Sequence, residues 1–245
     1  MDASGLRRID RRKDLADVYT ARSAPTVVDV PVLDYLMIDG AGDPNSSPEF
    51  AAAIEALYGV SYAVKFALRN GTSPIDYAVM PLEGLWWADD MSAFERGVKS
   101  AWKWTLMIVQ PSEMTSEGIA PIVERVRVKK PKLAALDQLR LARLTEGPSA
   151  QLLHVGPYDS ERPNIERLHA HVTSIGGRMR GRHHEIYLND ATRTVPERLK
   201  TIIRQPFTPA KESIDGRVLD LRWHWFAGLP RPVRHRPHCF REPPA

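Results

Sequence analysis

The chain has 245 residues, 43% of them hydrophobic and 26% charged, with a formal net charge of +4. That size and balance support a buried core and exclude disorder of the whole chain. The single cysteine, Cys239, excludes an internal disulfide and any multi-cysteine metal site. The N-terminus lacks the apolar run of a signal peptide and no later stretch reads as the roughly 20 apolar residues of a bilayer span, so the expected location is cytoplasmic, with no membrane partner.

In chain order, residues 1–27 carry Arg7, Arg8, Arg11, Arg12 and Lys13 against Asp10, Asp14 and Asp17 and read as a solvated basic arm. Residues 28–209 read as the folded body, with half-units at about 28–111 and 140–209 joined by a helical connector. Two segments share one layout of apolar run, Gly turn, acidic and Pro segment, then helical pattern: Leu33 to Tyr58 and Ala150 to Gly177. In the first, Ser47 caps a helix, Pro48 suits its first turn, and Phe50, Ile54, Leu57 and Tyr58 recur on one face. In the second, Ile165, Leu168, Val172 and Ile175 recur in the same way, and Gly176 and Gly177 end the helix.

Strand-like runs follow each helix, Ile75 to Trp87 and Ala101 to Pro111 after the first, His183 to Asp190 and a run ending at Phe207 after the second. TSEGIAPIVERVRVKK between the copies reads as the connecting helix. Strand, helix, strand, strand occurring twice predicts an α+β fold: two pseudo-repeated units in an antiparallel sheet arrangement, with a central ligand cleft at their pseudo-twofold axis. Residues 210–245 form a basic, Pro-rich tail in which basic residues outnumber acidic ones by three. No helix-turn-helix or finger accompanies that excess, so no specific nucleic-acid partner is expected.

Several motifs lead nowhere. Gly40-Ala41-Gly42 begins like a dinucleotide loop, but Asn45 stands where its third Gly belongs and Asp43 would repel a pyrophosphate. His169 with His171, and His183 with His184, lack the i, i+4 spacing of a helical zinc site. No metal or cofactor is expected.

In His183-His184-Glu185-Ile186-Tyr187 the two-residue period of a strand puts His183, Glu185 and Tyr187 on one face, and His184 and Ile186 on the other. With Ile186 and Leu188 expected to pack inward against a helix, Glu185 faces either solvent or the groove. Trp102 and Trp104 share a face with Leu106 and Ile108 and serve either as core or as stacking surfaces. Trp86, Trp87, Tyr158 and Tyr187 sit at strand ends or turns, Tyr158 in a Gly-Pro-Tyr-Asp turn that would present its ring. Glu83 either approaches the groove or bonds to backbone at a strand end.

MPLEGLWW, WKWTLMIVQP, LLHVGPYDSERPNIERLHAH, HHEIYLND and LKTIIRQP together resemble the GyrI-like small-molecule-binding proteins, in particular the branch without a DNA-binding domain, over about Lys13 to Phe207. The resemblance implies that Glu185 lies in the ligand cleft, and that the partner is a planar hydrophobic small molecule bound by a monomer. Some members of that branch are hydrolases that open the cyclopropane ring of DNA-alkylating cyclopropanoids of the duocarmycin type. Carried over, this makes Glu185 and Tyr158 the catalytic candidates, with Tyr187, Trp104, Trp86, Trp87, Glu83 and His183 as ligand-binding candidates. Glu185 would orient or deprotonate water, Tyr158 or Tyr187 would hydrogen-bond the developing phenolate, and Trp104 would stack on the planar rings. A carboxylate among aromatic rings is expected to have a raised pKa. The alternative is passive sequestration of lipophilic aromatic cations, with Glu185 as counter-charge.

Overall fold

A computed structural model describes residues 5–90 and 96–210, and the backbone of two further short strands. The strands are β1 (Arg7–Ile9), β2 (Thr26–Val30), β3 (Leu33–Ala41), β4 (Ile75–Tyr77), β5 (Leu82–Trp87), β6 (Lys103–Val109), β7 (Arg140–Leu144), β8 (Gly147–Val155), β9 (Arg178–Met179), β10 (His183–Tyr187) and β11 (Lys200–Thr208). The helices are α1 (Arg11–Asp14), α2 (Ala16–Tyr19), α3 (Pro48–Arg69), α4 (Ser116–Lys129) and α5 (Arg162–Ser174). Beyond these, β12 (Glu212–Ile214) and β13 (Arg217–Leu219) pair as a small antiparallel hairpin of their own. Cys239 and the basic, Pro-rich sequence around it lie outside the described residues.

The helix signals act as read. Ser47 Oγ accepts from the Phe50 amide at 3.2 Å with Pro48 in the first turn, and Thr115 Oγ1 accepts from the Gly118 amide at the start of α4. The stripe that α3 buries is rotated from the expected one: Ala53, Ala56, Leu57, Val60 and Val64 are buried, while Phe50, Ile54 and Tyr58 are only half-buried. Small alanines let the helix approach the sheet closely and leave the larger side chains at its flank. By length and composition α3 is also apolar enough to cross a membrane, contrary to the sequence expectation, but here it is the helix layered on β3 and β6.

The main sheet runs β2-β8-β11-β10-β5-β6-β3-β7, with β9 also paired to β11. Every pairing in it is antiparallel. The repeat is visible in that order: β3-β6-β5 with α3 on one side of the centre, β8-β11-β10 with α5 on the other. The outermost strands are exchanged. β2 leads into β3 but pairs with β8, and β7 leads into β8 but pairs with β3. In a flat sheet β2 and β3 would lie six strand spacings, about 29 Å, apart. The chain from Val30 to Leu33 can reach only about 11 Å. The sheet must therefore curl until its two ends approach each other.

The N-terminal segment belongs to this body and is no solvated arm. Val18 and Tyr19 are buried, Arg204 donates to the Val18 carbonyl and Gln151 Nε2 to those of Asp17 and Thr20. β1 adds in parallel to β4, and Arg7 and Arg11 pair with Glu113. Buried carbonyls and a buried guanidinium satisfy one another, which the charge pattern alone does not reveal.

Gly40 has a packing role rather than a nucleotide one. It lies across from Trp104 in the β3–β6 register, and the indole covers it so closely that a Cβ would sit 2.1 Å from the ring. Gly40→Ala is expected to destabilise the fold by at least about 2 kcal/mol, because neither the 1%-exposed indole nor the backbone can retreat. Urea unfolding measures this, and a change below about 0.5 kcal/mol would refute it.

Candidate functional site

Within the main sheet helix α3 packs on β3 and β6 and α5 on β8 and β11, so the central pair β5 and β10 forms the floor between them. Alternation decides what that floor presents. Glu185 lies opposite Gly84, His183 opposite Trp86 and Tyr187 opposite Leu82, and Glu185 also opposes Ile203, which packs with Leu168 and Val172 of α5. The helices are thus on the Glu185 face. The expected inward packing of Ile186 against one of the long helices is corrected: Ile186 is fully buried on the face opposite α3 and α5, inside the curl. Gly84 lets Trp86 Nε1 and the Tyr187 hydroxyl close over the strand beside Glu185, since a Cβ there would stand 2.8 Å from the first and 3.0 Å from the second.

Glu185 Oε2 accepts from the Tyr187 hydroxyl at 2.8 Å, and Oε1 lies 3.1 Å from His183 Nε2. The Tyr187 hydroxyl in turn accepts from Trp86 Nε1 at 3.1 Å. The carboxyl of Glu161, at the start of α5, lies against Glu185 and Thr201. Burial opposes ionisation of both carboxyls, but His183 and Tyr187 hold the Glu185 pKa below its ordinary value. Burial and the Glu185 charge push Glu161 well up. Two carboxyls brought together out of water resist ionising together, and the opposite shifts make Glu161 the more readily protonated of the two. The raised pKa expected for Glu185 therefore belongs to its neighbour. Glu161 Oε1 is buried without a hydrogen bond of good geometry, the condition that calls for a bound water or ligand atom.

Aromatic rings wall the floor. Tyr158 is 40% exposed and meets Tyr187 edge-on at 5.6 Å. Burial, then the charges of Glu161 and Glu185, pushes its pKa up to about 12, so its hydroxyl stays a donor at neutral pH. The turn carrying it is pinned by His154, whose Nε2 lies 3.2 Å from the Pro157 carbonyl and whose Nδ1 lies 2.8 Å from Asn164 Nδ2. Arg167 donates to Asn164 Oδ1, so Nδ2 faces the ring and His154 accepts at Nδ1. His154 then carries its proton on Nε2 and is no base for the nearby Ser160.

Of the candidates from sequence, Glu185, Tyr187, His183, Tyr158 and Trp86 come together. The other three do not. Trp104 is on the groove side but lies beneath Phe50, whose ring meets it edge-on at 5.1 Å, and is 1% exposed. Trp87 alternates to the opposite side of β5 from Trp86 and stacks under Arg182, 3.4 Å from its centroid. Glu83 pairs with Ile186, on the opposite face from Glu185. There it accepts from Tyr19, Tyr35 and His184 Nε2, so it neither reaches the groove nor bonds to backbone as a strand end. Glu161 was missed, although its signal was available: Glu is a poor N-cap, and at this helix start its side chain makes no capping bond.

The face opposite α3 and α5 carries an ion cluster that the sequence reading missed. His184 Nδ1 is 2.8 Å from Glu146 and Nε2 is 2.9 Å from Glu83, so both ring nitrogens donate. Arg204 bonds Glu146 and Gln151. His184, Glu83 and Arg204 are at most 1% exposed and Glu146 is 4% exposed. Burial alone would lower the His184 pKa, but Glu146 and Glu83 hold it up to about 9. Burial would raise that of Glu146, but His184 and Arg204 bring it down to about 2. Among the described residues no group of three His, Cys, Asp or Glu is arranged to hold a metal ion.

The model of the GyrI-like small molecule binding domain matches residues 23–207. This chain belongs to the GyrI-like family. Its architecture also matches solved GyrI-like relatives from Listeria innocua. An uncharacterized conserved protein is 34% identical with a TM-score of 0.75, covering 81% of this chain and 99% of its own. A hydrolase encoded by lin2189 is 33% identical with a TM-score of 0.75, covering 82% and 100%, and a further hydrolase is 32% identical with a TM-score of 0.71, covering 81% and 99%. No curated protein shows significant similarity to the chain. The GyrI-like match begins at residue 23, after the docked segment of residues 16–20.

Proposed function

We propose that this GyrI-like chain is a hydrolase that adds water to the strained three-membered ring of a planar cyclopropanoid alkylator of the duocarmycin type. One observation carries the reading: two carboxyls, Glu185 and Glu161, meet on the floor of an aromatic-walled groove, where His183 and Tyr187 lower the Glu185 pKa while burial and the Glu185 charge raise that of Glu161. Water attacks the ring CH2, a carbon–carbon bond breaks, and its electron pair moves through the conjugated system onto the carbonyl oxygen, which becomes a phenolate. Glu185 takes the proton from water, and the phenolate is finally protonated, so the sum is one water added. Glu161 Oε1, lacking a partner, holds that water; Tyr158 donates to the developing phenolate, while Trp86 and Tyr187 flank the planar rings. Ring strain drives the step, so orientation and charge placement are what the protein must contribute. The one-third identity to Listeria innocua hydrolases supports turnover over passive binding.

The test is mass spectrometry of a cyclopropanoid alkylator incubated with the purified chain. A product heavier by one water, formed faster than in buffer, is expected. Unchanged compound despite saturable binding would make the chain a sequestering protein.

A further inference from the structure

A closed circuit of contacts runs round the mouth of the groove. Tyr158 meets Tyr187 edge-on, Tyr187 holds Trp86 Nε1, and Trp86 meets Trp102 edge-on at 5.7 Å. Lys99 Nζ stands over the Trp102 ring, 6.0 Å from its centroid. The same Nζ donates at 2.7 Å to Asp159, the residue after Tyr158, and so closes the circuit between the two half-units. Lys99 is largely covered, at 27% side-chain exposure, while Asp159 is open at 83%.

An acidic aromatic groove ordinarily suits a lipophilic cation, which needs an open ring face and an anion without a partner. Trp102 and Glu185 do not offer them. The Trp102 face is taken by the chain's own ammonium, and Glu185 is engaged by Tyr187 and His183. We infer that Lys99 is a specificity-determining residue: its ammonium over Trp102 turns the groove from lipophilic aromatic cations to uncharged planar guests. The inference rests on the reading of the groove as the site for a planar molecule, and deepens it by fixing the charge class of that molecule.

A matched pair of planar probes tests this, uncharged 9-methylanthracene and cationic 10-methylacridinium, titrated by fluorescence into wild type, Lys99→Met and Asp159→Asn. Lys99→Met keeps the apolar cover but removes the charge, and is expected to tighten binding of the cation by about tenfold while moving the uncharged probe less than about twofold. Asp159→Asn retains the ammonium and should give no such gain, which separates a charge filter from a simple opening of the mouth. An unmoved ratio between the probes in Lys99→Met, or an equal gain in Asp159→Asn, would overturn the inference while leaving the groove reading intact. Binding of neither probe by any of the three proteins would overturn both. Unchanged thermal unfolding of the variants confirms that each is folded.

Discussion

Glu185→Gln is expected to lower cyclopropanoid turnover by at least about a hundredfold while leaving substrate affinity within a few-fold. The amide keeps the size of the side chain and still accepts from Tyr187, but it cannot take a proton from water. Glu161→Gln should cost much less, because the amide replaces a carboxyl that is already neutral. Single-turnover kinetics on both variants separates these outcomes. Equal losses would mean that the pair's proton is not held mainly by Glu161, and full activity in Glu185→Gln would remove it from the mechanism.

Glu146→Ala is expected to be the most damaging single change to stability, about 3–5 kcal/mol, since it leaves two buried cations, His184 and Arg204, facing one carboxylate. The same cluster gives stability a pH signature. The folded-state pKa of His184 is raised from 6.5 to about 9, so its contribution is complete below pH 6.5 and is lost as pH rises through 9. That of Glu146 is lowered from 4.5 to about 2, so its contribution is present above pH 4.5 and is lost as pH falls toward 2. Unfolding free energy should therefore decline on both sides of a slightly acid to neutral plateau. Denaturant unfolding from pH 6 to 9 checks the alkaline limb, which should be largely absent in His184→Gln. A limb unchanged in that variant would show that other groups produce it.

Local signals in the sequence were read correctly where their partners are close. Ser47 and Pro48 begin a helix, Gly176 ends one with a positive φ of 72°, and the alternation in His183 to Tyr187 sorts its side chains onto the right faces. What failed depends on distant partners. A strand's alternation says nothing about which of its faces a helix covers, so Ile186 was assigned to the wrong layer. Glu83 meets Tyr19, 64 residues away, and His184, 101 residues away; no spacing rule connects them. The sequence of β7, Arg-Leu-Ala-Arg-Leu, has no two-residue alternation to mark it as a strand, and its pairing with β3 rather than with its sequence neighbour lies beyond periodicity altogether.

The exchange of β2 and β7 between the half-units bears on how such a chain could have arisen. A single half-unit would have one strand without its partner, and two identical copies could satisfy each other only as a strand-swapped homodimer. Across its axis that dimer would have to present each residue twice, two carboxylates or two glycines alike. Covalent joining lifts that constraint: one copy carries Glu185 while the other, at Gly84, has no side chain, and the Trp86 indole and Tyr187 hydroxyl close over it. The groove is asymmetric chemistry placed on a pseudo-symmetric frame, which two identical halves could not present.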